Sequence, residues 1–141
     1  MTTPEAIVAA AREWIGTPWN HQQRLKGIAT DCAGIVIGVA KTLTGFDDSG
    51  IPAYSRQSSN YSLIRFCDAH MQRADGPALG RVAVMRFKDE PQHMGIFGDY
   101  PLGGLSLIHS YVQSRKVVEH RFDDEWSARV LAVYIIPGVV E

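Results

Sequence analysis

The sequence predicts an α+β fold, helices first and an antiparallel sheet after, and three observations carry that expectation. Apolar residues recur at helical spacing in three stretches before residue 74. From Val82 onward they fall instead into runs of strand length. The breaks between those runs (88–92, 100–104 and 113–114) are short and polar, as hairpin connections are.

The first helix starts where Thr2 or Thr3 can cap it, with Pro4 near its first position and Glu5 in its first turn. Ile7, Val8, Ala11, Trp14 and Ile15 then share a face, and Gly16 ends the element. Residues 17–24, Thr-Pro-Trp-Asn-His-Gln-Gln-Arg, have no period and are rich in hydrogen-bonding groups, so they form a loop. A second helix is expected over 32–43, where Ile35, Val36, Val39, Ala40 and Leu43 make one buried face. Residues 46–59 are a Gly-, Pro-, Asp- and Ser-rich surface excursion. A third helix is expected over 61–73, placing Leu63, Phe66, Cys67 and Met71 on one side, and Asp75-Gly76-Pro77 stops it. Strands follow over 82–87, 94–97, 105–111 and 116–121, and the run 130–136 closes the sheet before Pro137.

At 141 residues the chain forms one domain, 1–141, with a single core. A net charge of −1 offers no basic face for nucleic acid. No apolar run approaches the roughly eighteen residues of a membrane span. The first residues lack the basic and apolar regions of a signal peptide, so synthesis in the cytoplasm is expected. A structural disulfide between Cys32 and Cys67 is then not expected, and Cys67 reads as core.

Cys32 opens the second helix behind Asp31, which can cap it. Unpaired amide groups and the positive end of the helix dipole would point at its sulfur and favour the thiolate, the reactive form. Of the five histidines, His93 stands at the start of a strand after a charged turn, a position suited to a general base. His109 lies in an otherwise apolar strand and can neighbour His93 across the sheet, orienting it. His21 sits in the polar loop, His70 at a helix end, and His120, between Glu119 and Arg121, reads as solvent-facing.

Four motifs in order carry a resemblance: Gly16-Thr17-Pro18-Trp19, Asp31-Cys32-Ala33-Gly34, His93-Met94-Gly95-Ile96-Phe97-Gly98 and Ile108-His109-Ser110. Together they resemble the NlpC-type cell-wall cysteine peptidases of the papain-like superfamily. The branch carried by phage and gene-transfer-agent tail modules is closer, through His21 and Lys26-Gly27. The resemblance implies a papain-like fold, with the nucleophile helix packed on an antiparallel sheet of about five to six strands. It implies Cys32 as nucleophile, His93 as base and acid, and His109 as the group that orients His93. The Cys32 backbone N–H would hold the oxyanion, and Trp19, His21 and Asp31 would line the substrate cleft. The implied substrate is a peptidoglycan stem peptide, commonly cut at the γ-D-glutamyl to diamino-acid bond, with no metal and no organic cofactor.

Two departures stand out: Ala33 where the family usually has Ser, and Gly80-Arg81 where it has Gly-Asp. The missing wall-binding domain suits a component of a larger particle, with phage tail-tip or hub proteins as partners. Its expected location is then the virion tail, with action in the periplasm or cell wall and no membrane insertion. Three other readings compete: a tail structural protein with a vestigial peptidase fold, a Cys-His amidase or acyltransferase on another substrate, and a zinc site built from Cys32, His93 and His109.

Overall fold

A computed structural model describes residues 1–51, 62–87 and 90–141 of the chain. Most of the expected excursion over 46–59, the first residue of the expected third helix and residues 88–89 of the expected turn lie outside the described residues. Helix α1 (Pro4–Arg12) begins at Thr3, whose side chain accepts the Ala6 N–H, and it buries Ile7, Val8 and Ala11. A two-strand ribbon follows, β1 (Arg24–Leu25) with β2 (Ala29–Thr30). Helix α2 (Cys32–Thr44) ends at Gly45, whose left-handed backbone (φ 69°) lets its N–H reach the Lys41 carbonyl. Helix α3 (Ser62–His70) leads into a short strand, β3 (Gln72–Arg73).

The main sheet adds β4 (Val82–Phe87), β5 (Glu90–Asp99), β6 (Leu105–Tyr111), β7 (Lys116–Arg121) and β8 (Val130–Ile135). Its order is β3-β8-β4-β5-β6-β7, and every pairing is antiparallel. The expected α+β arrangement is therefore present, with six strands. Several placements differ from the expectation: α1 stops at Arg12, short of Gly16, α3 stops at His70 and Gln72–Arg73 pair as a strand, β5 begins at Glu90 so that His93 is its fourth residue and not its start, and β8 pairs with β4 and β3. The connection from β7, which includes helix α4 (Asp124–Ser127), is too long for a tight hairpin and carries the chain back across one face. Two-residue β3 and four-residue α4 are too short to register as a period in the sequence.

The two faces of the sheet are covered differently. Helices α1, α2 and α3 pack on one face, where Ile7, Val8, Ile35, Val36 and Val39 meet Val82, Val84, Met94, Ile96, Ile108 and Tyr134. Alternation turns Ala83, Met85, Phe97, Leu107 and Val133 to the other face, under Phe122 and Trp126. Burial on both sides explains why the central strands read as continuous apolar runs. Cys67 is fully buried on the helix side, as expected for core. No helix among the described residues is long and apolar enough to cross a membrane.

Candidate active site

Asp31 organises the segment that presents Cys32. One carboxylate oxygen accepts the Gly34 N–H at 2.8 Å, capping α2, and the other accepts the Gln22 N–H at 2.6 Å. The His21 ring lies 3.8 Å from the same carboxylate. The buried Asp31 thus joins the helix start to the polar loop. The loop is also pinned to the sheet: Trp19 donates its N–H to Arg115, and the Ser110 hydroxyl donates to the Thr30 carbonyl. Gly34 of the Asp-Cys-x-Gly motif has a steric reason to be glycine. A Cβ there would stand 2.3 Å from the Gln23 carbonyl oxygen and 2.5 Å from the Thr30 hydroxyl.

Cys32 is the first residue of α2 and is half-buried. Its sulfur receives the backbone N–H of Met94, and the amides of Ala33 and Cys32 itself also favour the thiolate. They do not prevail. Burial of the sulfur, reinforced by the neighbouring Asp31 charge, pushes the thiol up to about 12. This corrects the expectation of a resting thiolate: the helix start supplies the predicted amides, but desolvation outweighs them.

Met94 ties the sulfur to the sheet at a particular place. Strand β5 pairs with β4 as far as Phe87↔Glu90, but its ladder with β6 stops at Ile96↔Ile108. His93, Met94 and Gly95 thus lie beyond the β6 ladder, on the segment that meets Cys32. Here the ring of His93 turns to the face away from the helices, as does that of His109. His93 Nε2 hydrogen-bonds His109 Nδ1 at 2.5 Å. A Cβ on Gly95 would meet the Leu107 side chain at 2.8 Å and the His109 Cβ at 3.2 Å, so the missing side chain leaves room for this pair.

The histidines continue beyond the expected pair. His109 Nε2 lies 2.8 Å from His120 Nε2, and His120 Nδ1 lies 2.9 Å from the Arg121 carbonyl oxygen. His120 is therefore not simply solvent-facing; it is half-buried and extends the line of rings. Strand pairing accounts for it. His109 lies opposite Val118, so His120, two residues on, is on the same face and diagonal to His109. That parity was available in the sequence, but only to a reader who knew the β6–β7 register.

Sequence reasoning also missed an aromatic enclosure. Tyr111 stacks on His109 at 5.2 Å between centroids, and Trp126 stands edge-on to His109 at 5.0 Å. Phe87 lies 5.3 Å from the His93 ring, and the Arg129 guanidinium sits over Phe87 and Trp126. Burial foremost, then unfavourable electrostatics from the nearby His120 ring and the Arg129 guanidinium, pushes His93 down to about 3. His109 is driven lower still by burial and its two histidine neighbours. Both rings are neutral near pH 7.

Of the expected cleft residues, Trp19 and His21 are half-buried in the loop beside the helix start, and Asp31 is buried with both oxygens accepting main-chain amides. Arg81, the departure noted before β4, clasps Asp75 and Glu141. Among the described residues, no three His, Cys, Asp or Glu side chains are grouped to hold a metal ion. The three histidine rings bond one another in a line rather than converging on one point. A neutral thiol and a neutral imidazole borne by adjacent elements can form a nucleophile and base without prior charge separation.

No protein-family model matches this chain, and no curated protein matches it in sequence. Its fold does have counterparts among solved structures. The NlpC/p60 domain of the peptidoglycan hydrolase SagA superposes with a TM-score of 0.66 at 20% identity, covering 96% of this chain and all of that one. NlpC1 of Trichomonas vaginalis gives 0.65 at 14% identity over 94% of this chain, which spans only 43% of that protein's length. An N-acetylmuramoyl-L-alanine amidase of Bacteroides uniformis gives 0.57 at 12% identity, covering 93% and 96% of the two chains. At these identities the likeness establishes a shared papain-like fold.

Proposed function

We propose that this chain is a cysteine peptidase that hydrolyses a stem-peptide amide bond of bacterial peptidoglycan. The observation that carries the reading is the junction at β5: the Cys32 sulfur accepts the Met94 N–H, and the preceding residue is a histidine held by a second histidine. The fold shared with a peptidoglycan hydrolase domain supports the substrate class.

In this reading His93 takes the thiol proton as the Cys32 sulfur attacks the scissile carbonyl carbon. The oxyanion forms beside the Cys32 backbone N–H, and one donor of that kind contributes about 3 kcal/mol. Collapse breaks the C–N bond while the His93 imidazolium returns its proton to the leaving amine. Water then attacks the thioester, His93 takes its proton, and the acid leaves as the thiol is restored. The raised thiol and lowered imidazole favour proton transfer coupled to attack over a standing ion pair.

The γ-D-glutamyl to diamino-acid bond, and delivery by a phage tail tip bound to hub proteins, follow from the sequence resemblance and belong to the proposal. So does action of a virion component at the cell wall. The amidase among the structural neighbours favours a second reading, cleavage one link earlier, between muramic acid and L-alanine.

Peptidoglycan fragments with intact stem peptides, incubated with the protein or with Cys32→Ala and analysed by mass spectrometry, decide the matter. A new product at a peptide–peptide amide, absent with the variant, supports the endopeptidase. Release of the whole stem from the sugar moves the assignment to amidase. No product with either protein overturns both.

A further inference from the structure

The His93–His109 pair is ambiguous by itself. Each neutral imidazole carries one N–H and one lone pair, so a bond between His93 Nε2 and His109 Nδ1 forms with the proton on either ring. Only one arrangement leaves a base. If His93 donates, its Nδ1 keeps a lone pair; if it accepts, Nδ1 carries the proton and cannot take another.

The far end of the line removes the ambiguity. A carbonyl oxygen only accepts, so the 2.9 Å contact with the Arg121 carbonyl puts a proton on His120 Nδ1, and a ring that carries a single proton carries it there. His120 Nε2 must then accept, and His109 Nε2 must donate across 2.8 Å. His109 Nδ1 is left as an acceptor, which obliges His93 to donate from Nε2. Each step follows from the one before.

We propose that His120, anchored by the Arg121 carbonyl, is a positioning residue that sets the polarity of the three-histidine line and so keeps the lone pair on His93 Nδ1. The catalytic meaning of this rests on the cysteine-peptidase reading; the proton arrangement does not. The line also lets His93 accept a proton at Nδ1 with no other bond rearranged. Protonating His109 instead would put an N–H against His93 Nε2 and reverse the polarity. Trp126, 5.1 Å from His120 and 5.0 Å from His109, walls the line and limits its exchange with water.

The test needs no substrate. Long-range ¹H–¹⁵N correlation spectra of the ¹⁵N-histidine-labelled protein at neutral pH report the tautomer of each ring. The expected result is the Nε2–H form for His93 and His109 and the Nδ1–H form for His120. An Nδ1–H form at His93 overturns the proposal. In His120→Leu, which offers no acceptor, His109 is expected to populate both tautomers. In His120→Glu, an acceptor only, it is expected to stay Nε2–H. His109 unchanged in a folded His120→Leu protein also overturns the proposal. If the wild type cleaves peptidoglycan, His120→Leu should lower kcat about ten- to a hundred-fold with KM within about twofold, and His120→Glu should recover most of it. If the wild type cleaves nothing, the peptidase reading falls while the tautomers still decide this proposal.

Discussion

The two halves of the candidate site meet along β5 but are held by different means. Cys32 is held partly by near neighbours and partly by the sheet: Asp31 caps its own helix three residues on, the Met94 amide meets the sulfur, and Ser110 holds the Thr30 carbonyl. On the face away from the helices three imidazoles from three strands hold one another, across sequence separations of 16 and 11 residues. One half is fixed by a helix cap and a few contacts to the sheet. The other is rigid only while three strands keep register. The position of Cys32 therefore depends less on strand register than that of His93, which needs β5, β6 and β7 aligned.

The largest effects should come from removing either half. Cys32→Ala and His93→Ala are each expected to lower kcat by roughly 10⁴-fold or more, because residues acting as a unit fail together. Their double variant should be no worse than the single ones, measured with the same stem-peptide substrate. An additive loss would break the idea that the two faces form one site.

Acid should act on the histidine face. The unfolded chain binds protons at His93 and His109 near their ordinary value of 6.5, while the folded chain resists doing so at His93 down to about 3 and at His109 further still. The unfolded state therefore holds more protons below pH 6.5, and stability falls as pH drops through that window. The slope approaches about 1.4 kcal/mol per pH unit for each histidine. Urea unfolding at pH 7 and pH 5 measures it, and His93→Gln should remove about half of the difference.

A pair of glycine substitutions sharpens the contrast. Gly34→Ala drives a Cβ into the Gln23 carbonyl, a backbone atom that cannot swing aside, and should cost about 2–3 kcal/mol by urea unfolding. Gly95→Ala meets mainly the mobile end of Leu107 and should cost about 1 kcal/mol. Its nearness to His109 should nonetheless make Gly95→Ala lower kcat out of proportion to its effect on stability. Equal kcat losses in the two variants would erase the distinction between the faces.

What was legible in the sequence follows the same division. Thr3 and Asp31 at helix starts, Gly45 at a helix end and the apolar periods of α1 and α2 are all signals within a turn or two of chain. They placed the starts of α1 and α2 and put Cys32 at an N-terminus, though α1 stops at Arg12, short of the expected Gly16. The expected neighbourhood of His93 and His109 needed one guess about strand adjacency, and the β5–β6 pairing supplies it. His120, Tyr111 and Trp126 needed the β6–β7 register and the return path through α4, which no local pattern encodes.

By itself, then, the sequence determined the α+β class and the helix that carries Cys32, because capping and periodicity act between near neighbours. Only the tertiary structure decided the charge state of the thiol, the insertion of β8 beside β4 and the line of three histidines. Desolvation and strand register are properties of what surrounds a residue in space, and the chain brings those surroundings together only when the sheet has formed.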